Sequence, residues 1–297
     1  MQEFTPRTPD HALRPYARIP PRVRTRLVRA STVDAAGYAH WLLADRRARV
    51  PYDALVVSVA PDGTSRETTL RGVGARHPRF DALPDGGFVV ASARALRSDA
   101  DQVRIFGALG DVTHTFHVGD AVEHLLADEA GDLWVGYFDE GVYGDDELSR
   151  AGLRRWSAAG AASWAYEPPD GTRHISDLYA LNVAGTQAWS CAYTDFELVL
   201  NRPGRPSVVR KNPVRAARAL AVHGDRVAFL GGYGDDHDRL VDCDLVGLEV
   251  RPVTTGRLTG PGGAPLKGRR RVVARGPRIY VQEAPCAEWW VFDLSAP

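Results

Sequence analysis

Asp128-Glu-Ala-Gly-Asp-Leu-Trp-Val-Gly136, followed by Gly152-Leu-Arg-Arg-Trp-Ser-Ala-Ala-Gly160, decides the fold of this chain. A polar turn with a glycine leads into a short apolar strand that carries Trp134 and ends on Gly136. A second strand carrying Trp156 then runs into another polar turn closed by Gly160. Short apolar runs bounded by Gly and Asp are the mark of strands, whose side chains point alternately to opposite faces.

Working outward from this unit, the same rhythm recurs. Upstream, 77–83 and 87–92 flank the turn Pro84-Asp-Gly86, and 103–106 and 113–117 follow. The central unit comprises 122–126, 133–137, 153–156 and 163–166. Downstream come 175–180, 188–193, 197–200 and 207–210, then 217–222, 227–230, 240–243 and 248–251. A last unit offers only 271–274, 278–281 and 289–292. Four strands per unit at nearly constant spacing predict an all-β ring, a six-bladed β-propeller of four antiparallel strands per blade, with five or seven blades as the alternatives.

The missing fourth strand of the last unit is expected from the N-terminal segment, residues 1–26, so that both termini share one blade and no edge is left open. The opening unit is the least regular: 54–59 and the turn Pro61-Asp-Gly63 are clear, but 32–49 also scans as a helix. Residues 1–297 are read as a single propeller domain.

The pattern Asp128-x-x-Gly131-x-Leu133-Trp134-Val-Gly136, with Gly152-Leu153-x-Arg155 and Gly160, resembles the regulator-propeller repeat of sensor-type propellers. The match covers one blade, and the insertion 138–150 departs from the compact repeat. The resemblance implies propeller architecture and no particular activity, because propellers carry many unrelated functions.

Composition narrows the functional classes. The chain has 37 basic and 37 acidic residues and no net charge, so no global field draws it to nucleic acid or to an anionic membrane. Neither is expected as a partner. The basic run Lys267, Arg269, Arg270, Arg271 reads as a surface loop entering the last blade. The three cysteines are far apart and lack ligand spacing, and the N-terminal residues show no apolar leader, so a soluble, cytoplasmic protein is expected. No nucleophile elbow, phosphate loop, dinucleotide fingerprint or zinc motif occurs.

In a propeller the loops joining second to third strands share a face with those joining blades, around the mouth of the central channel. Residues at the starts of the first strands, and aromatics near the mouth loops, therefore form the candidate ligand-binding set: His77, Arg79, Asp81, His124, Tyr137, His174, Asp177, Tyr193, Arg218 and Tyr233. Arginines with histidines and carboxylates suit a small anionic or polar molecule, and a protein partner is the other occupant considered. Two acidic loops supply Asp139 and Glu140, and Asp235 and Asp236, as candidate ligands for Ca²⁺ or Mg²⁺. The functional expectation is a binding scaffold. The alternative is a metal-assisted hydrolase or lyase with its site at the channel mouth.

Overall fold

The computed structural model describes residues 10–96 and 98–296. Its strands are β1 (His11–Ala12), β2 (Arg14–Arg18), β3 (Leu27–Val33), β4 (Ala39–Ala44), β5 (Tyr52–Val59), β6 (Ser65–Val73), β7 (Pro78–Ala82), β8 (Phe88–Ser92), β9 (Val103–Phe106) and β10 (Val112–Phe116). They continue as β11 (Val122–Ala127), β12 (Leu133–Tyr137), β13 (Leu153–Trp156), β14 (Ala162–Ala165), β15 (Asp177–Ala184), β16 (Gln187–Tyr193), β17 (Leu198–Asn201) and β18 (Val208–Arg210). The remainder are β19 (Ala219–His223), β20 (Arg226–Leu230), β21 (Arg239–Val246), β22 (Glu249–Thr259), β23 (Arg270–Arg275), β24 (Arg278–Glu283) and β25 (Glu288–Asp293); a short α-helix, α1, spans Asp139–Val142, beside a few single 3-10 turns.

Three sheets are four-stranded and follow chain order: β3 to β6, β7 to β10 and β11 to β14. A fourth runs β19 to β22 with β1 added at its outer edge. The fifth, in the order β18-β17-β16-β15-β23-β24-β25-β2, is eight-stranded, and its two halves meet only at the parallel pair Asn182 and Ala274. The first strands β3, β7, β11, β15, β19 and β23 pack against one another around an axis, and later strands step outward. This is a β-propeller, in which each sheet buries both faces against its neighbours.

The closing strand expected from the N-terminal segment is β2, antiparallel to β25 with Arg14 opposite Val291 and Arg18 opposite Glu288. Just before it, β1 lies parallel to β22, so the same segment ties two sheets together. The helix considered for 32–49 is not formed, because that stretch holds β3 and β4. Strand β4 is buried on both faces, from Ala39 to Ala44, which erases the alternation that marks a half-exposed strand.

The turn of the opening motif is organised by one carboxylate. Asp128 is buried, and its Oδ1 accepts the backbone N–H groups of Ala130 and Asp132. Its Oδ2 accepts the indole N–H of Trp134 at 3.1 Å and the Arg155 guanidinium at 2.8 Å. Trp134 is thereby held inside the cluster it shares with Leu153, Ile175 and Leu178. Gly136 is required by its neighbour: a Cβ there would sit 2.2 Å from Leu178 Cδ2, so a side chain would push adjacent sheets apart.

Candidate functional site

The two ends of the ring differ. At the end formed by the turns between first and second strands, the axis is closed by Arg275, only 6% exposed, at the end of β23. Its Nε donates to Val33 O at 3.2 Å and one terminal nitrogen to Ala127 O at 2.7 Å, while the other pairs with Asp81. Asp81 also accepts from the backbone N–H of Ala127 and from the Thr32 hydroxyl. A single side chain thus joins β3, β7 and β11 across the axis.

Asn182 completes the closure. Its amide donates to Leu220 O and Gly276 O, and its carbonyl accepts from Gly276 N–H. This buried polar residue explains why β15 continues to Ala184, although its apolar pattern suggests an end near Ala180.

At the opposite end, three first strands carry a register shift at matching depth: between Val28 and Ala30 in β3, Val122 and His124 in β11, and Leu178 and Ala180 in β15. The residues without a partner in the ladder are Arg29, Glu123 and Tyr179. A bulge re-aims one side chain of a strand, and bulges are enriched beside binding sites. Among the described residues, the non-glycine residues with positive φ, Ala121, Phe196, Ala216 and Cys286, all lie in loops of this same end. Such backbone costs about 1–3 kcal/mol at each position and clusters where geometry serves a site.

Around this mouth the Arg218 guanidinium lies 3.8 Å from the centroid of the Tyr179 ring. Tyr179 stacks on Tyr193 at 6.2 Å with planes inclined 21°, and both rings meet the edge of Phe196. Tyr233 extends this cluster from the next loop, 6.3 Å from Phe196. Tyr193 and Tyr233 are exposed, as is Tyr143, whose hydroxyl bonds Ser176 at 2.8 Å. Half-buried Asp177 lies in the same field. Burial pushes its carboxyl above the usual range, nearby Asp139 adds to the rise, and Arg218 opposes it. On the far wall Arg79 pairs with Glu123 at 2.6 Å and donates to Val122 O. Arg271 reaches Ser31 Oγ at 2.8 Å and Arg29 O at 3.1 Å.

The expected ligand set therefore divides. Asp177, Tyr193, Arg218 and Tyr233 come together at the mouth, Arg79 lies on its wall, and His77 and His174 are exposed beside it. Asp81 belongs instead to the closed end, because three residues into β7 it is fully buried against Arg275. Tyr137 also leaves the set: it is fully buried, and its hydroxyl donates to Val118 O in the core between sheets. His124 is partly buried, with Nε2 3.1 Å from Leu178 O, and burial holds its pKa below the ordinary value. His174 borders a shallow recess of about 20 Å³, room for about one water.

The acidic loops meet arginines. Glu140 and Asp120 both pair with Arg94, and Asp139 accepts its neighbour's backbone N–H. Asp236 lies 3.3 Å from Arg239 and 3.9 Å from Arg257, and the backbone carbonyl of Asp235 accepts from Arg257. Asp146, in the insertion, pairs with His117 at 2.5 Å. Among the described residues no three His, Cys, Asp or Glu side chains form a group able to hold a metal ion. Likewise, among the described residues no helix is long and apolar enough to cross a membrane.

Tyr179, Phe196, Glu123 and Arg271 complete the mouth. Tyr179 and Phe196 escape a sequence reading because a bulge and a left-handed residue, not an apolar period, turn them toward it.

No protein-family model matches the chain, and no curated protein matches its sequence. Among solved structures it is similar to virginiamycin B lyase from Staphylococcus aureus, in a catalytically inactive form with quinupristin. That match has a TM-score of 0.50 and 12% identity, and covers 94% of this chain and 98% of that one. A streptogramin B lyase structure gives a TM-score of 0.51 at 11% identity, covering 96% and 88% of the two chains. At these identities the likeness establishes the propeller fold alone.

Proposed function

We propose that the chain is a six-bladed propeller, with the two halves of the eight-stranded sheet as separate blades, and that it is a binding scaffold. Its mouth takes a small ligand that carries a flat ring and a negative charge. The observation that carries this reading is the Arg218 guanidinium stacked on Tyr179, inside the cluster of Tyr193, Phe196 and Tyr233. Among the described residues Arg218 makes no ion pair within 4 Å, and Asp177 is the carboxylate in its field, so its N–H groups can meet an anion at the mouth. The rings beside it offer flat apolar area with little rotamer freedom to lose. The bulges at Arg29, Glu123 and Tyr179 support the same end of the ring.

The acidic loops lend the hydrolase or lyase alternative no support, since the Glu140 and Asp236 carboxylates are already paired with arginines. A thermal-shift screen of aromatic carboxylates, aromatic amines and uncharged ring compounds tests the proposal. The carboxylates should raise the melting temperature, and Arg218→Ala and Tyr179→Ala should each abolish the rise. No shift with any anionic ring compound, or an undiminished shift in Arg218→Ala, defeats it. The protein-partner reading then takes its place.

A further inference from the structure

The closed end of the ring holds a cavity of about 180 Å³, on the face opposite the mouth. Turns from three sheets border it: Asp34 to Gly37 after β3, Glu129 after β11, and, from the eight-stranded sheet, Val183 and Ala184 at the end of β15 with Arg275 to Arg278 between β23 and β24. Its volume lies well below the ~300 Å³ where drug-sized pockets begin, so it suits a small metabolite.

Side chains of both charges border it. Arg275 lies among its lining groups, and a guanidinium carries about five N–H donors. Three hydrogen bonds use them, to Val33 O, Ala127 O and Asp81, so further N–H directions remain on the terminal nitrogens. Arg278 adds a second guanidinium, held at 2.9 Å on Asp293. The carboxylates stand at the turns. Asp34 is fixed by His40 at 2.8 Å and by the backbone of Tyr38. Exposed Glu129 accepts from Gly185 N–H with Oε1, and its Oε2 meets no donor among the described residues.

An anion alone would meet Asp34 and Glu129, and a cation alone would meet Arg275 and Arg278. A molecule carrying both charges satisfies both sets. We infer that this cavity binds a small zwitterion of amino-acid size, with its carboxylate toward Arg275 and its ammonium toward Glu129 and Asp34. The site is independent of the mouth and shares no residue with it.

Titration calorimetry on the full chain tests this with glycine, alanine, serine and γ-aminobutyrate, using acetate and ethylammonium as single-charge controls. At least one zwitterion should give saturable heat, and the controls none. Glu129→Gln should weaken binding about tenfold, and Ala184→Leu, which fills the cavity without changing charge, should abolish it. Arg218→Ala should leave it unchanged, which separates this site from the mouth. No saturable heat from any zwitterion at millimolar concentration overturns the inference. So does equal binding of acetate, or binding indifferent to both Glu129→Gln and Ala184→Leu.

Discussion

Replacing Arg275 with methionine should destabilise the ring in a pH-dependent way. The side chain keeps similar volume, but Asp81 loses its only ionic partner among the described residues, and Val33 O and Ala127 O each lose a donor. In the native protein, burial pushes the Asp81 carboxyl upward and Arg275 pulls it back. Without the guanidinium a buried carboxylate costs several kcal/mol, so the cheaper course for the variant is to keep a proton on Asp81. At pH 7 that costs about 1.4 kcal/mol for each pH unit above an unfolded-state value near 3.9, roughly 4 kcal/mol in all. The two carbonyls add about 1 kcal/mol each.

In the variant the folded-state pKa of Asp81 lies above the unfolded one. The unfolded chain releases the proton first, and stability is lost as pH rises from about 4 toward 7. The proton's cost should fall to roughly 1.5 kcal/mol at pH 5. Urea unfolding followed by tryptophan fluorescence at pH 5 and pH 7 measures both values. Adding Asp81→Asn should recover most of the loss at pH 7, because no charge is then left buried. A loss below about 1 kcal/mol at pH 7, or the same loss at both pH values, refutes the reasoning.

Other consequences follow from the same contacts. Asn182→Leu strands Leu220 O, Gly276 O and Gly276 N–H, and should cost about 3 kcal/mol in the same urea assay. His124 is held below its ordinary pKa by burial, so its contribution is full above about pH 6.5 and is lost as pH falls. His124→Gln should flatten the dependence of stability on pH below about 6.5. Removing residues 1–18 exposes the edge of β25, and size-exclusion chromatography should show self-association that the full chain lacks.

Particular residues show how far the sequence carries. Trp134 and Gly136 mark their sheet correctly, because the strand is short, bounded by turns and placed against Leu178. The closing strand is legible because the last unit lacks one, and β2 supplies it against β25. Strand β22 runs to Thr259 although Pro252 argues for an earlier end; the proline lies beside a register shift, where the ladder is already broken. The mouth is legible only in part. Arg218, Tyr193 and Tyr233 follow from loop position, whereas Tyr179 depends on a bulge, which leaves no trace in the apolar pattern. Asp81 escapes for a related reason. Its position in the first strand is visible, but its depth along the axis and its partner almost two hundred residues away are not. In the acidic insertion Glu140 pairs with Arg94 and Asp146 with His117, long-range contacts that the sequence does not show.

The central claim, that the open mouth and not the closed end receives an anionic ring, is tested most directly on the arginines themselves. An aromatic carboxylate titrated into protein labelled with ¹⁵N-arginine should shift the Nε–H resonance of Arg218 and leave that of Arg275 in place. Saturable movement of Arg275 with Arg218 unmoved, or no movement of either, would contradict the account.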